Sequence, residues 1–282
     1  MTRLTPLAPL STLAPPVGPT AAPGPGTTAP GWRAHINWGW AAMPALLVAW
    51  VLTASRFPSY VLPQPWEVAE EGWQWLQSGR LWAQLLASLW EELGGFGAAV
   101  VVGFAIGTGA GLSRALREFV TPLIAAFMSI PPIAWAPLAM ILFGLGYTAI
   151  MAVIFIAAVF PIAMTIQQGV EGIRSSELRA ARVLGASRCQ LVWHVVLPAS
   201  LPAITAALRI GFSQAWRALV AAEMIGATHG IGWMVSMGGQ TGNASQVLLG
   251  IVLIGAIAWL METLLFRRLE RRYQHWRVQE VR

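Results

Sequence analysis

Residues Ser175 to Pro202 read SSELRAARVLGASRCQLVWHVVLPASLP and lie between two long apolar segments of a 282-residue chain. The stretch carries four charged side chains, and hydrocarbon is a costly environment for such groups. They are Glu177, Arg179, Arg182 and Arg188. We therefore predict that this stretch lies outside the membrane, at its surface, and that it is ordered rather than a simple linker.

The first half of the stretch has the signals of a short helix. Ser176 can cap the helix through its hydroxyl, and Glu177 then lies at the positive end of the helix dipole. Ala180 and Ala181 are strong helix formers with almost no side chain. Gly185 can take the left-handed conformation that ends a helix, here after about two turns. The pattern predicts a small helix with a flat alanine face and an arginine edge.

A second short helix is predicted directly after the first. Ser187 and Gln190 have the three-residue spacing of a capping box, in which each side chain bonds the other residue's backbone. Pro198 and Pro202 then mark the entry to the next apolar segment. A short, ordered, charged helix at a membrane surface is suited to binding by another protein.

The stretch resembles the cytoplasmic loop of the permease subunits of bacterial ABC importers. Their signature is Glu-Ala-Ala, three residues, Gly, then often Ala-Ser and later Leu-Pro and a second Pro. The matching residues here are Ala180, Ala181, Gly185, Ala186, Ser187, Leu197, Pro198 and Pro202. Arg179 stands where the family has glutamate, and the nearest acid is Glu177. The resemblance implies docking in a groove of an ATPase subunit through Glu177, Arg179, Ala180, Ala181, Gly185, Ala186 and Ser187.

Composition independently indicates a helical membrane protein. The chain is 56% apolar and only 11% charged, whereas soluble domains average about 25% charged residues. Its apolar runs approach the length of about 20 residues that a helix needs to cross a bilayer. The fold class is therefore all-α and polytopic, and the resemblance implies the type I ABC importer permease kind with a cytosolic coupling helix.

The chain contains no lysine and no aspartate. A phosphate-binding P-loop needs its lysine, and the associated Mg²⁺ site needs an aspartate. We therefore predict no ATPase site in this chain, and the resemblance to permease subunits implies no enzyme activity and no cofactor. The histidines show no metal-ligand spacing, so no metal site is predicted either: His35, His194, His229 and His275.

Three regions follow from the order of the residues. Residues 1–38 are predicted to be a disordered, proline-rich cytosolic tail, because such a composition cannot bury enough apolar surface to fold. Residues 39–270 form the transmembrane permease domain, with the coupling loop at 167–197. Residues 271–282 form an arginine-rich cytosolic tail. Six spans are predicted, at about 39–54, 85–112, 119–143, 148–166, 198–227 and 247–266.

Arginines set the predicted orientation. With six spans, both termini and the loops at 113–118 and 167–197 share one side, which holds fourteen arginines, whereas the other side holds Arg56 and Arg80. Cytosolic loops carry the excess of positive charge. The termini and the coupling loop are therefore cytosolic in an inner membrane, and the net charge of +6 sets topology rather than binding nucleic acid.

Other segments refine the resemblance to the nitrate, sulfonate and taurine branch of these permeases. They are Leu62–Pro65, Ile130–Pro132 and Gln214–Met224. The branch implies a homodimer in the lipid bilayer, two copies of a cytosolic ABC ATPase, and a periplasmic or lipoprotein substrate-binding protein. It also implies a small, anionic solute such as a sulfonate, taurine or nitrate.

Small residues and prolines predict two features of helix packing. Gly103, Gly107 and Gly111 recur at four-residue spacing, which lets another helix approach closely. Pro131 and Pro132 must break the third span, and broken helices at membrane depth occur inside protein or along a cavity.

Four residues of the fifth span are candidates for the substrate path: Ser213, Gln214, Arg217 and Glu223. Arg217 falls near mid-membrane, with Ser213 on the same helix face. Glu223 is too far around the helix to pair with it. Arg217 either meets an anionic group of the substrate or forms a structural ion pair, whereas Arg209 lies near the cytosolic end and can reach the surface.

Three alternatives stay open. The first is a secondary transporter or channel that works without ATP, which would leave the ordered cytosolic helix unexplained. The second is an ABC importer permease for another solute, such as a thiamine-precursor pyrimidine. The third is a membrane-embedded enzyme, which the scattered histidines and the missing aspartate disfavour.

Overall fold

The structure is a computed structural model and describes residues 39–173 and 175–266. Helices connected by short turns make up this part of the chain, and no strand occurs in it. The predicted all-α class is therefore confirmed. The two tails predicted at 1–38 and 271–282 lie outside the described residues.

The helices follow one another in a simple order. They are α1 Gly39–Ala54, α2 Pro65–Gln77, α3 Arg80–Leu112, α4 Arg114–Met128, α5 Ala136–Phe143, α6 Tyr147–Glu171, α7 Ser175–Val183, α8 Arg188–Leu191, α9 Leu197–Ala199, α10 Leu201–Gly226, α11 Ile231–Thr241 and α12 Ala244–Met261. A 3₁₀ turn, Pro132–Trp135, precedes α5, and π-helical turns occupy Val192–Val196 and Glu262–Phe266. The chain divides into two units between Ala45 and Leu46, and everything from α2 onward lies in the second.

The core of the second unit is built around α6. In its most apolar window 61% is buried within the chain, against 33% for α3 and 11% for α12. Ile150, Ile154 and Ile162 are fully buried, and α6 packs between α3 and α10. We call α3, α6 and α10 the frame. The loops and the shorter helices are attached to it.

The glycine stripe of α3 faces α6, as predicted. A methyl group added at Gly103 or Gly107 would meet the side chain and backbone of α6 at once, and one at Gly111 would meet Val170. Close approach of backbones gives the van der Waals contact that holds helices together in lipid. The predicted packing role of these glycines is confirmed.

Six spans are not established by the helix lengths. The helices α3, α6 and α12 are each long and apolar enough to cross a bilayer, and two bent pairs bring the number to five if each pair is one span. The apolar part of α1, Ala42–Ala54, has 13 residues, whereas an upright span needs about 20. Six spans therefore remain a prediction.

Both bent pairs coincide with prolines. The helix α4 and the segment Pro132–Phe143 meet at 90°, because Pro131 and Pro132 offer no N–H to continue the helical ladder. This confirms the predicted break in the third span. The second pair, Cys189–Ala199 and α10, is bent by 71° around Ser200 and Leu201.

Several predicted boundaries need correction. The helix α6 continues to Glu171, so the first residues of the predicted loop 167–197 are helical. In this extension the side chain of Gln167 forms hydrogen bonds with Thr121 and Glu171, so its polar group has partners while the residue is helical. The helix α3 starts at Arg80 rather than near 85, and residues 231–241, to which no element was assigned, form α11.

Candidate functional site

The predicted coupling helix is present as α7, nine residues long. It begins at Ser175, so Ser176 lies in its first turn and is not the cap, which corrects that prediction. Glu177, Arg179 and Ala180 are exposed, and Ala181 is half-buried against the core. The charged edge of the helix therefore faces solvent while one alanine anchors it.

Gly185 ends α7 in the way that its sequence predicts. Its φ is +84°, in the left-handed region that glycine occupies without strain. The N–H of Ala186 donates to the carbonyl of Ala181 at 3.0 Å, and the N–H of Gly185 donates to that of Arg182 at 3.0 Å. This pair of bonds is a Schellman motif, which satisfies the last carbonyls of the helix and fixes the chain direction.

The capping box predicted after Gly185 is also formed. The N–H of Ser187 donates to Oε1 of Gln190 at 2.9 Å, and the N–H of Gln190 donates to Oγ of Ser187 at 3.3 Å. The short helix α8 then passes into the π-helical turn Val192–Val196, where Val196 is buried. Two consecutive caps therefore join α7 rigidly to the segment that enters α10.

Apolar side chains extend the alanine face at the end of α7. Val183 and Leu184 are each 86% exposed, and Trp193 in the following turn is 63% exposed. These are the residues of a cytosolic loop by the predicted topology, where lipid would not cover them. These exposed apolar side chains lie beside the rigid cap at Gly185.

A polar cluster ties the end of α6 to α4 beside this loop. Glu171 forms an ion pair with Arg117, with Nε 3.2 Å from Oε1, and accepts a hydrogen bond from Gln167 Nε2 at 2.9 Å. Gln167 Nε2 also donates to the hydroxyl of Thr121 at 3.1 Å. The base of the loop, at the end of the frame helix α6, is therefore fixed to α4.

The polar residues of α10 fall on two separate surfaces. The guanidinium of Arg217 donates from Nη2 to Oγ of Ser213 at 2.6 Å, and Arg217 is exposed on the surface of the chain. Gln214 lines a cavity of about 50 Å³ between α4, α6 and α10. The structure therefore brings Ser213 and Arg217 together, whereas Gln214 lines the cavity and Glu223 lies in a buried cluster.

Arg209 has an acidic partner that the sequence did not reveal. Its guanidinium forms an ion pair with Glu262 in the π-helical turn after α12. Both side chains are partly exposed, which is consistent with the predicted position near the end of the span. The pair connects α10 to the end of α12.

Glu223 is buried and binds the beginning of α11. Its carboxylate accepts from the hydroxyl of Ser88 at 2.5 Å and from the N–H of Gly232 at 2.6 Å. The hydroxyl of Ser88 in turn accepts from the N–H of Ile231 at 2.9 Å. The first N–H groups of α11 thus find partners in α3 and α10, and the carboxylate lies at the positive end of that helix.

Two further buried glutamates, Glu91 and Glu92, complete a cluster that sequence reasoning missed. They are 0% and 2% exposed, and their carboxyl oxygens have no hydrogen-bond partner among the described residues. Glu91 lies beside Glu223, and its Oε1 is 3.9 Å from Nε2 of His229. Two adjacent glutamates inside an apolar run were the available signal. No group of three or more His, Cys, Asp or Glu residues in 39–173 and 175–266 could hold a metal ion.

Sequence comparisons give several relatives over most of the chain. The taurine transport system permease protein TauC of Escherichia coli strain K12 is 38% identical, over 86% of this chain and 94% of that protein. The bicarbonate transport system permease protein CmpB of Synechococcus elongatus is 36% identical, over 66% and 67%. The nitrate import permease protein NrtB of a Synechocystis strain is 31% identical, over 78% and 83%.

Solved structures support the same fold. A chain of the MetNI methionine ABC transporter, in inward facing conformations, superposes with a TM-score of 0.58 and 24% identity. The match covers 69% of this chain and 98% of that one. At this identity the likeness concerns the fold alone, and it agrees with the type I importer permease architecture predicted from the sequence.

A family match covers most of the folded part of the chain. Residues 99–275 match the family described as binding-protein-dependent transport system inner membrane component. This range includes α7 with its Schellman stop, the cavity and the polar turn of α10. The chain therefore belongs to the family of inner membrane components of binding-protein-dependent transport systems, and it is a permease subunit and not an enzyme.

Proposed function

We propose that this permease imports a small solute with an anionic group. The import is driven by ATP hydrolysis in a separate subunit that binds α7. The observation that carries the proposal is the form of α7 itself. The nine-residue helix ends at Val183 with a Schellman stop at Gly185, and Val183 and Leu184 at this end are each 86% exposed. A rigid apolar contact surface is what an ATPase groove would need to transmit movement.

The proposed assembly is a homodimer of this chain with two ATPase copies and an external binding protein. Closure of the ATPase dimer on ATP would bring the two α7 helices together and turn the permease outward. The caps at Gly185 and Ser187 make this transfer possible, because they couple α7 to the bent entry of α10 without a flexible linker. Hydrolysis would reverse the movement.

The orientation in the proposal places both termini and α7 in the cytosol. The arginine bias of the loops supports it. The ion pair of Arg117 with Glu171 and the exposed Arg179 and Arg182 lie at the same end of the helical frame as the coupling loop. The acidic cluster around Glu223 would then lie toward the outer side.

The anionic solute is proposed from two supports. The relatives carry taurine, bicarbonate and nitrate in their names, and each of these solutes has an anionic group. Arg217, with Ser213 bonded to its guanidinium, is an exposed cation in the middle of α10. A guanidinium binds oxyanions through several donors at fixed geometry. Ser213, Gln214 and Arg217 are the proposed path residues, whereas Glu223 would act by holding α11 in place.

The proposal is tested by copurifying the permease with the ATPase encoded beside it. Leu184→Glu places a charge in the exposed apolar surface and should reduce the amount of bound ATPase about tenfold or more, as expected for a buried interface anchor. The matched control is Gln74→Glu, which adds the same charge to an exposed position of α2. Retention of wild-type levels of ATPase by Leu184→Glu would refute the role of α7.

A further inference from the structure

One face of α3 is polar where it meets the connection between α10 and α11. Gln84, Ser88 and Glu91 follow one another at spacings of four and three residues, which places them on the same side of the helix. Gln84 Oε1 accepts from the N–H of Gly230 at 2.7 Å. Together with Ser88 and Glu223, it gives the consecutive N–H groups of residues 230–232 side-chain acceptors. Glu91 takes no part in this capping of α11.

Glu91 is enclosed by protein and its carboxyl group lacks a donor. It is 0% exposed, and neither of its carboxyl oxygens has a hydrogen-bond partner among the described residues. An ionised carboxylate in such a place is costly, because nothing replaces the water that it loses. The side chain is directed at Glu223, whose carboxyl group lies within hydrogen-bonding reach. Two carboxyl groups can form a hydrogen bond only when one of them carries a proton.

The ligand that this arrangement calls for is therefore a proton. A proton on one carboxyl group removes one of two adjacent buried charges and at the same time supplies the missing donor. A metal ion would need more ligands than the pair provides. Within 39–173 and 175–266, no group of three or more His, Cys, Asp or Glu residues could hold a metal ion.

The hydrogen bonds of the two glutamates assign the proton to Glu91. Glu223 accepts from the hydroxyl of Ser88 at 2.5 Å and from the N–H of Gly232 at 2.6 Å, and two donors stabilise an ionised carboxylate. Glu91 has no such donors. An O–H on Glu91 would give Glu223 its third donor and would tie α3 to α10 at this level.

His229 offers this proton a way to the solvent. Its Nε2 is 3.9 Å from Oε1 of Glu91, and the side chain is 24% exposed. Its Nδ1 is 2.8 Å from the hydroxyl oxygen of Thr228, and its ring lies against Tyr147 with centroids 4.1 Å apart. A movement of about 1 Å would bring Nε2 within hydrogen-bonding distance of Glu91. The imidazole thus lies between the buried pair and the surface.

The other titratable groups near the pair are Glu92, His229 and Tyr147. Glu92 is 2% exposed, lies near Glu223 and has no hydrogen-bond partner among the described residues. By the argument used for Glu91, it is neutral and holds a proton of its own. The connection and α11 bring no counter-charge to the pair, since residues 227–243 contain His229 but no Asp, Glu, Lys or Arg.

We propose that Glu91 and Glu223 form a proton-binding site, in which Glu91 carries the proton and donates it to the carboxylate of Glu223. The proton exchanges with the solvent through His229. When it leaves, it passes from Glu91 to Nε2 of His229 and on to water, and two adjacent carboxylates remain. Their repulsion loosens the contact of α3 with the α10–α11 connection. The site therefore makes this contact sensitive to pH, independently of the proposed function of α7.

Infrared spectroscopy of the full-length protein in detergent tests whether the proton is present. A protonated carboxyl group has a C=O band above the amide I band, whereas an ionised one does not. At about pH 8 exposed glutamates are ionised, so this band reports buried acids. Glu91→Gln should lose part of the band. Glu70→Gln removes a carboxyl group from an exposed position of α2 and should leave it unchanged. An unaltered band in Glu91→Gln would overturn the proposal.

Glu92→Gln makes the test independent of how well Glu91→Gln folds. It removes the second neutral acid and leaves Glu91 and Glu223 in place. The band that remains in Glu92→Gln at about pH 8 should then belong to the shared proton. Absence of any such band in Glu92→Gln would also overturn the proposal.

The pH dependence of stability measures the same proton. Glutamates of the unfolded chain are ionised above about pH 5, so folding should take up the proton. The folding equilibrium constant should then fall about tenfold for each unit of rising pH on account of this site. In Glu91→Gln the amide N–H donates to Glu223 at any pH, and the dependence should be weaker by one proton. Identical pH dependence of unfolding in detergent for the wild type and Glu91→Gln would contradict the site.

Hydrogen–deuterium exchange of the infrared band tests the route through His229. In D₂O the band of a protonated carboxyl group shifts as its proton is replaced. His229→Phe keeps a ring against Tyr147 but removes both nitrogens, and it should slow this shift several-fold without removing the band. The control is His194→Phe at an exposed position of the coupling loop, which should exchange as the wild type does. Equal exchange rates in His229→Phe and His194→Phe would overturn the role of His229.

Discussion

The carboxylate of Glu223 in α10 and the hydroxyl of Ser88 in α3 are hydrogen-bonded at 2.5 Å, although 135 residues separate them in the chain. The bond completes a chain of contacts in which Ser88 and Glu223 take up the first N–H groups of α11. It fixes the joint between α10 and α11 to the frame helix α3. Glu223 thus belongs to the connection between α10 and α11, whereas Ser213 and Arg217 lie on a different, exposed surface.

Removing the hydroxyl of Ser88 should destabilise this joint. In Ser88→Ala the carboxylate of Glu223 loses a donor and the N–H of Ile231 loses its acceptor, and each loss costs about 1–3 kcal/mol. We expect a lower thermal stability in detergent and faster proteolysis near residues 228–231. Ser55→Ala removes an exposed hydroxyl that bonds only the preceding turn and should change neither. An unaltered cleavage rate in Ser88→Ala would contradict the importance of the contact.

The glycine stripe offers a matched pair of substitutions on one helix. A Cβ at Gly107 would meet the backbone carbonyl of Ala163, which cannot move aside, whereas nothing lies within 4 Å of a Cβ at Gly97. Gly107→Ala should therefore lower the thermal stability. Gly97→Ala should leave it unchanged or raise it, because alanine is better than glycine in a helix by about 0.5–1 kcal/mol. Equal effects of the two substitutions would show that the approach of α3 to α6 is not tight at Gly107.

Arg217 is expected to act on the solute rather than on folding. Its described partner is Ser213, and it faces the surface of the chain. Arg217→Met should lose most uptake while membrane level and ATPase binding are retained, and Arg217→Lys should keep part of the uptake because the charge remains. Poor insertion or poor dimerisation of Arg217→Met would instead indicate a structural ion pair, and normal uptake would exclude both roles.

Arg179 tests the departure from the family signature at the docking edge. It is exposed on α7, at the place where the family has glutamate. Arg179→Glu should weaken ATPase binding, and a reversed charge on the facing residue of the ATPase should restore it. If the amount of bound ATPase is the same in Arg179→Glu and in the wild type, Arg179 faces solvent in the complex.

Features that depend on neighbours in sequence were predictable. Gly185 has a left-handed conformation because the chain must turn there, and Ser187 with Gln190 forms a capping box because the spacing allows it. The four-residue spacing of the glycines on α3 also predicted that another helix packs closely against them. In each case the cause lies within about one or two turns of the helix, where sequence patterns carry direct information.

Features that depend on distant residues were not predictable. Glu91 and Glu223 come together because α3 and α10 pack with these two residues at the same height along their helix axes. The sequence around either residue does not specify that height. The helix α11 was missed because its glycines argue against a helix, and its N–H groups are satisfied by Ser88 and Glu223 from elsewhere in the chain. Tertiary contacts override weak local propensity in such a segment.

The most direct measurement of the central claim is the ATPase activity of the assembled complex carrying Gly185→Pro. Gly185 has a φ of +84°, whereas proline fixes φ at about −65°. The Schellman stop must therefore be lost in Gly185→Pro, and α7 must take a different direction. The control is Gly79→Pro, which places proline at another left-handed glycine, φ +73°, between α2 and α3. We predict that the solute-loaded binding protein stimulates hydrolysis in the wild type and in Gly79→Pro but not in Gly185→Pro, with all three inserted equally. Wild-type stimulation in Gly185→Pro would contradict the assignment of α7 as the coupling helix.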